Sequence, residues 1–194
     1  MDKVNEDVFP LSTKKSVKGT RRLAREKILQ ILMASEISGV EWQVIFDHIF
    51  FRNFNFGDDE FHSDKILTQD EVKEIESDLP INWNFEEIDF AKFLVDTVIK
   101  SKEALDAYIL GMIENWELDR ITVVDRILLE MAISELLYCP DIPPKVSLNE
   151  AIEIAKLFST EKSWLFINGI LDKLLTKFKQ EDTMKKTGRG LVEK

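Results

Sequence analysis

The basic residues of this chain are concentrated in one short stretch near its N-terminus. Between residues 14 and 27 the sequence holds seven lysines and arginines against a single acid, Glu26. Four of the basic residues stand at the start of a predicted helix: Lys18, Arg21, Arg22 and Arg25. Helix N-termini already carry partial positive charge, so a bound phosphate would turn this repulsion into attraction. The stretch predicts an anion-binding surface, and a solvated basic helix end is the alternative.

A second group of residues, near the C-terminus, also suits nucleic acid. Four residues at intervals of four, three and four share one face of a predicted helix: Lys162, Phe166, Gly169 and Lys173. An aromatic ring flanked by lysines, beside a glycine that permits close approach, suits stacking on an unpaired base. The alternative is that Phe166 packs beneath a neighbouring helix, and the pattern taken alone favours that interpretation.

The sequence offers little chemistry beyond binding. It lacks a nucleophile elbow, a phosphate-loop glycine pattern and zinc-type cysteine spacing. His48 and His62 have no serine or cysteine partner that spacing would bring near them. The acidic residues between 58 and 64 match neither a calcium loop nor a zinc site, which favours a solvated loop. We therefore predict no enzymatic activity, no metal and no cofactor.

The composition is typical of a soluble globular protein. Of 194 residues, 44% are hydrophobic and 32% are charged, and the formal net charge is −10. The 7 glycines and 5 prolines are too few for a turn-rich all-β chain. The single cysteine, Cys139, excludes an internal disulfide and fits the reducing cytosol. No apolar run is long enough to span a bilayer, so we predict a cytoplasmic protein without membrane contact.

Helix signals organise the N-terminal half. Thr20 is the predicted N-cap of the first helix, and Ser38 and Gly39 end it. A second helix is predicted over 40–54, with His48 facing apolar neighbours.

An acidic loop at 55–67 and a short helix at 68–78 follow, and residues 79–84 are the predicted boundary between two subdomains. The predicted organisation is a flexible basic N-terminus (1–19), an N-terminal helical subdomain (20–82), a C-terminal helical subdomain (83–180) and a flexible tail (181–194).

Two further helices precede the C-terminal motif. Asn84 and Glu87 are predicted to cap a long helix that bends or breaks near Ser101, beside Lys100. The next helix is predicted over about 122–138.

A proline-rich entry and two short helices complete the body of the chain. Three prolines interrupt helical geometry: Pro140, Pro143 and Pro144. Ser147 stands three residues ahead of Glu150, a capping-box spacing that predicts a helix over about 148–158. Three hydroxyl residues supply cap chemistry for the next helix: Ser159, Thr160 and Ser163. That helix carries a continuous apolar stripe from Ile167 to Phe178.

This last region also carries a family resemblance. PPKVSLNEAIEIAK followed by FSTEKSWLFINGILDKL is similar to the signature of the bacterial transcription antitermination factor NusB family, and DRILLEMAISELLY resembles the helix before it. The resemblance runs through about fifty consecutive residues, Asp125 to Leu174, and RRLAREKILQILM is a weaker match. It implies an all-α fold of two small helical bundles packed together, with about seven helices.

The resemblance also implies a function and a set of site residues. NusB proteins recognise the boxA element of nascent ribosomal RNA leaders as a heterodimer with the ribosomal protein NusE, and so help RNA polymerase read through terminators. The expected RNA-binding residues are Lys18, Arg21, Arg22, Arg25, Lys100, Glu161, Lys162, Ser163, Phe166 and Gly169. Two departures stand out: Ala104 replaces an expected aromatic near Lys100, and Lys162 replaces a residue that is often acidic in the family.

A second hypothesis is a protein-interaction module that lacks its own RNA recognition. It includes a homodimer and the NusB-like accessory domain that precedes some RNA methyltransferases. The latter needs a downstream cofactor domain with a Gly-rich loop, which this sequence does not contain. Under the first hypothesis the acidic remainder of the chain would face NusE, a basic protein.

Overall fold

A computed structural model of the chain describes residues 16–51, 81–113 and 120–191. Within these ranges six α-helices occur: α1 (Arg21–Ser38), α2 (Trp42–Phe51), α3 (Phe85–Leu110), α4 (Val123–Tyr138), α5 (Pro144–Phe158) and α6 (Ser163–Gln180). The short strands β1 (Val17–Lys18) and β2 (Ile81–Asn82) pair in parallel. A 3₁₀ helix covers Gly188–Leu191. The all-helical architecture expected from the sequence is confirmed. The predicted acidic loop at 55–67 and helix at 68–78 lie outside the described residues.

Helix caps fix the boundaries of several elements as predicted. Thr20 and Asn84 accept the backbone N–H groups of the residues three positions later, at 3.2 and 3.0 Å. Thr122 does the same at the start of α4, at 3.1 Å. At its other end α1 stops on Gly39, whose φ of 70° lies in the left-handed region that glycine adopts without strain.

Two predicted boundaries are wrong. Helix α3 continues without a break past Ser101, because buried Val98 and Leu105 anchor it to the core on both sides of that point. Helix α5 begins at Pro144 and not near Leu148, since a proline in the first turn gives up no intrahelical hydrogen bond. Ser147 therefore lies inside the helix and forms no capping box.

The burial of two side chains can be compared with what the sequence predicted. His48 is exposed on α2, so the expectation that it faces apolar neighbours is wrong. Cys139 is buried at the end of α4, as expected of a small packing residue. Within the described ranges, no helix combines the length and the apolar character needed to cross a membrane.

The central element is α4. Every residue from Ile127 to Leu136 is buried, and four helices pack around it: α1, α3, α5 and α6. A helix that is buried on all sides makes a convenient axis for locating surface residues. Asp125 and Glu135 lie near its two ends, and their separation of ten positions corresponds to about 15 Å of helix.

Side-chain contacts show which elements meet at each end of α4. At the Glu135 end lie Arg25 from the start of α1 and Ser147 from the start of α5. At the Asp125 end lie Ser159, just after α5, and Ser163 at the start of α6. Helices α1 and α5 thus run antiparallel to α4, and α6 runs parallel to it.

The chain after α6 returns to the Glu135 end. The Thr187 N–H donates to the Pro140 carbonyl at 2.9 Å, and Lys186 Nζ donates to the carbonyls of Glu135 and Cys139 at 3.0 and 2.9 Å. Gly190 is required here, because a Cβ at this position would stand 1.9 Å from the Pro140 oxygen. Residues 183–191 therefore lie along the surface at this end of α4, and the flexible tail predicted over 181–194 stays a prediction.

One buried acid beside α3 makes stability depend on pH. Glu130 is 2% exposed, and Arg126 Nη1 lies 3.2 Å from its Oε1. Burial, reinforced by the Asp106 carboxylate and opposed by Arg126 and Lys102, raises the Glu130 pKa from 4.5 to about 8. The folded protein holds this proton while the unfolded chain releases it near pH 4.5, so stability falls as pH rises from 4.5 towards 8.

Substituting Glu130→Gln should flatten this pH dependence. We expect the variant to match the wild type near pH 5 and to exceed its free energy of unfolding at pH 8, by on the order of a few kcal/mol. Urea unfolding at the two pH values measures the difference. Glu103→Gln, at an exposed position of α3, is the matched control. A gain in E130Q that is equal at both pH values would contradict the assignment.

Candidate nucleic-acid interface

One arginine of the basic stretch is buried in an ion pair. Arg25 is 4% exposed, and its Nε and Nη2 donate to the two carboxylate oxygens of Glu135 at 2.6 and 2.9 Å. Ser147 Oγ donates to the same carboxylate at 2.9 Å, and Glu150 lies 3.9 Å from Arg25 Nη1. A direct RNA contact by Arg25, as expected from the sequence, does not fit this geometry, because its guanidinium points into the protein.

The neighbouring cations remain at the surface. Arg22 Nε and Nη2 donate to Glu150 at 3.0 and 2.9 Å, yet the side chain is 51% exposed. The Arg21 guanidinium lies 4.4 Å from the centroid of the Phe90 ring. Lys18 is exposed on β1, directly before α1. An exposed ion pair contributes little net free energy, so a phosphate can compete with Glu150 for Arg22.

A hydroxyl cluster holds the turn between α5 and α6. Ser159 Oγ and Ser163 Oγ donate to the two carboxylate oxygens of Asp125 at 2.6 and 2.8 Å, and Thr160 Oγ1 lies 2.7 Å from Ser163 Oγ. Ser163 is buried, so its hydroxyl is committed to Asp125. Helix α6 has no side-chain cap of its own, which corrects the predicted capping role of these hydroxyls. Glu161 is exposed in the turn.

The aromatic face of α6 is only partly as predicted. Lys162 is exposed at the N-cap position, whereas Phe166 is half-buried and packs against the hydrophobic core. Gly169 is exposed, with open space where a Cβ would stand. Trp164 was not among the predicted site residues, and its ring lies 5.4 Å from Lys156 Nζ. Tryptophan rings commonly stack on bases. Lys156 on the preceding helix was the sequence signal that could have pointed to Trp164, because a lysine ammonium is attracted to the face of an aromatic ring.

The predicted residues form two groups rather than one pocket. The basic group is Lys18, Arg21 and Arg22, at the Glu135 end of α4. The turn group is Glu161, Lys162 and Phe166, at the Asp125 end, about 15 Å away along the axis of α4. Helix α5 contacts the basic group at Glu150 and, through Lys156, contacts Trp164 next to the turn group. A ligand that touches both groups must run along α5.

Lys100 belongs to neither the basic group nor the turn group. It is exposed on α3, and its Nζ lies 2.7 Å from the Asp96 carboxylate one turn earlier. This exposed pair costs little to break, so Lys100 can still meet a phosphate that reaches α3.

Breaking the buried pair should damage the fold far more than breaking the exposed one. We expect Arg25→Met to lower the free energy of unfolding by about 3–5 kcal/mol, because Glu135 is left buried without its cation. Arg22→Gln should cost no more than about 1 kcal/mol. The double variant R25M/E135L should recover most of the loss, since it buries no uncompensated charge. Urea unfolding measures the free energy of unfolding of all three variants. Equal losses of stability in R25M and R22Q would contradict the greater importance of the buried ion pair.

Comparison with known proteins identifies the family. The model of the NusB family matches residues 22–176. A "Transcription antitermination protein NusB" of Chloroherpeton thalassium is 47% identical over 105 residues, 54% of this chain and 50% of that protein, so the match spans about half the relative's length. The structure of T. maritima NusB has a TM-score of 0.62 and 28% identity, covering 83% of this chain and 94% of that one.

One further structure shares the fold. A crystal structure of the antitermination factors NusB and NusE in complex with dsRNA has a TM-score of 0.59 and 21% identity, with 81% of this chain and 96% of that chain covered. Together, the family match over most of the sequence and the shared helical fold establish that this chain belongs to the NusB family.

Proposed function

We propose that this chain is a transcription antitermination factor that binds boxA-type single-stranded RNA of ribosomal RNA leaders together with NusE. In the RNA polymerase antitermination complex it would promote read-through of terminators. Membership of the NusB family supports this proposal, as do the names of its relatives. The observation that carries it is the basic group, in which Lys18 and Arg22 are exposed and Arg21 is half-buried, on a protein whose net charge is −10. The proposed function involves no catalytic step.

The basic group would bind the phosphate backbone. Arg21 and Arg22 follow Thr20 at the N-terminus of α1, where backbone N–H groups and the helix dipole add to their attraction for an anion. No acidic residue lies in the first turn of α1 to oppose that attraction. Arg25 would act as a positioning residue, because its pairing with Glu135 fixes α1 against α4 and thereby sets where Arg21 and Arg22 stand.

The turn group would receive bases from the same strand. RNA that leaves the basic group can follow the exposed side of α5 and reach the turn at Glu161 and Lys162. There the half-buried rings of Phe166 and Trp164 would provide faces for stacking, and Gly169 leaves open space beside the helix. In this arrangement phosphate contacts position the strand, and contacts with splayed bases specify it.

The acidic remainder of the protein suits a basic protein partner. NusE is the partner proposed, since the related NusB and NusE are found together with RNA in a solved structure. Charge complementarity would speed their encounter and would weaken with salt.

A second candidate function is a protein-interaction module without RNA recognition, including a homodimer. Leu157 is 68% exposed and Leu165 is 54% exposed, at the end of α5 and the start of α6. Exposed apolar residues of this kind favour a protein contact at the Asp125 end.

Replacing both surface arginines should weaken RNA binding without unfolding the protein. We expect R21Q/R22Q to bind a labelled boxA-type 12-nucleotide RNA at least about tenfold more weakly at 50 mM salt, because two phosphate contacts are lost. Fluorescence anisotropy with and without NusE measures the affinity. Lys92→Gln is the control, since this exposed lysine faces Phe46 of α2, 5.5 Å from the ring.

Salt dependence provides the second readout. If about four phosphates are bound, the wild-type affinity should fall roughly fifty-fold between 50 and 200 mM salt. Wild-type binding that is absent or independent of salt, with unchanged association in sedimentation experiments, would favour the protein-interaction module instead.

A further inference from the structure

The segment after α6 lies outside the family match, which ends at residue 176. We use the name tail for residues 183–191. It contains Lys185, Lys186 and Arg189 and no acidic residue, in a chain whose net charge is −10. Cationic side chains on an acidic protein suit an anionic partner, although Glu181 and Asp182 stand directly before the segment.

The tail is held in a defined course by backbone contacts. Thr187 is tied to the Pro140 carbonyl, and buried Gly190 packs directly against the same group. Gly188 has a φ of 51°, which glycine adopts without strain and which turns the chain back. These contacts fix the tail on the protein surface before any ligand binds.

The three cations of the tail have different roles. Lys186 is half-buried and donates to two carbonyls at the C-terminal end of α4, where the helix dipole favours a positive charge. Lys185 and Arg189, in contrast, are exposed on either side of this anchor. Their charges face solvent and are available to an outside anion.

The tail and the basic group lie at the same end of α4. Lys186 Nζ binds the carbonyl of Glu135, and Arg25 binds the carboxylate of the same residue. Arg22 and Arg25 both approach Glu150 on α5. The start of α1 and the tail therefore both lie at the Glu135 end of α4, although more than 150 residues separate them in sequence.

We propose that Lys185 and Arg189 form a second phosphate-binding surface, which continues the basic group and binds the backbone of the same single-stranded RNA. The inference rests on the proposed function, because it extends the RNA path beyond the start of α1. Lys186 is a positioning residue that holds the tail against α4. The two surfaces together would bind a longer strand than α1 alone.

The test compares a charge-removing variant with a charge-conserving one. We expect K185Q/R189Q to bind an unstructured 12-nucleotide RNA about tenfold more weakly than the wild type at 50 mM salt. Its plot of log affinity against log salt should be shallower by about 1.4, the slope lost with two phosphate contacts. K185R/R189K should bind as the wild type does, and both variants should keep the wild-type melting temperature, because the two side chains are exposed.

The outcomes separate this inference from the proposed function. If the wild type binds RNA and R21Q/R22Q weakens binding, but K185Q/R189Q behaves like K92Q, the tail is not part of the surface and the inference fails alone. If the wild type binds no RNA with or without NusE, both fail. A loss in K185Q/R189Q that K185R/R189K restores, with a shallower salt slope, supports the tail as a phosphate-binding surface.

Discussion

The ion pair between Arg25 and Glu135 is the contact on which the arrangement of the helices depends. It joins α1 to α4 across 110 positions of sequence, and Ser147 brings α5 to the same carboxylate. Lys186 adds the tail through the backbone carbonyl of Glu135. Burying two charges costs desolvation free energy, which two short hydrogen bonds and a hydroxyl donor offset here. Glu135 is therefore the point at which four parts of the chain are held together: α1, α4, α5 and the tail.

This pair also decides which arginines reach the surface. Arg21 and Arg25 stand one helical turn apart, and both guanidinium groups lie over the Phe90 ring, at 4.4 and 5.2 Å from its centroid. Arg22 is rotated by about a hundred degrees from that line and meets Glu150 in solvent. A stretch that reads as basic in sequence is thus divided into a buried anchoring residue, Arg25, and two arginines at the surface. The same division recurs in the tail, where Lys186 anchors and its neighbours face outward.

Local signals in the sequence predicted the local structure well. The predicted caps Thr20 and Asn84 each accept the N–H group three residues later, and Gly39 ends α1 through its own backbone freedom. The family resemblance supplied the fold, because its motifs cover the helices around α4.

Tertiary contacts account for what the sequence did not predict. The Ser147 hydroxyl was predicted to cap its own helix, but it donates to the Glu135 carboxylate on the neighbouring helix. Arg25 looked like a surface cation because its partner is 110 positions away. Ser163 was predicted to bind RNA, yet Asp125 holds its hydroxyl in the interior. In each case the polar side chain could bond to a nearby residue or to solvent, but it bonds to a residue that is distant in sequence. Only the fold brings that distant partner within reach.

The buried ion pair of Arg25 and Glu135 also has a consequence for the thermodynamics of binding at this surface. Arg25 pairs with Glu135 in the absence of a ligand, so α1 already has a defined place and association requires little ordering of the chain. Calorimetry of the encounter should then show the small heat-capacity change of rigid docking, without the large negative value that accompanies folding on binding.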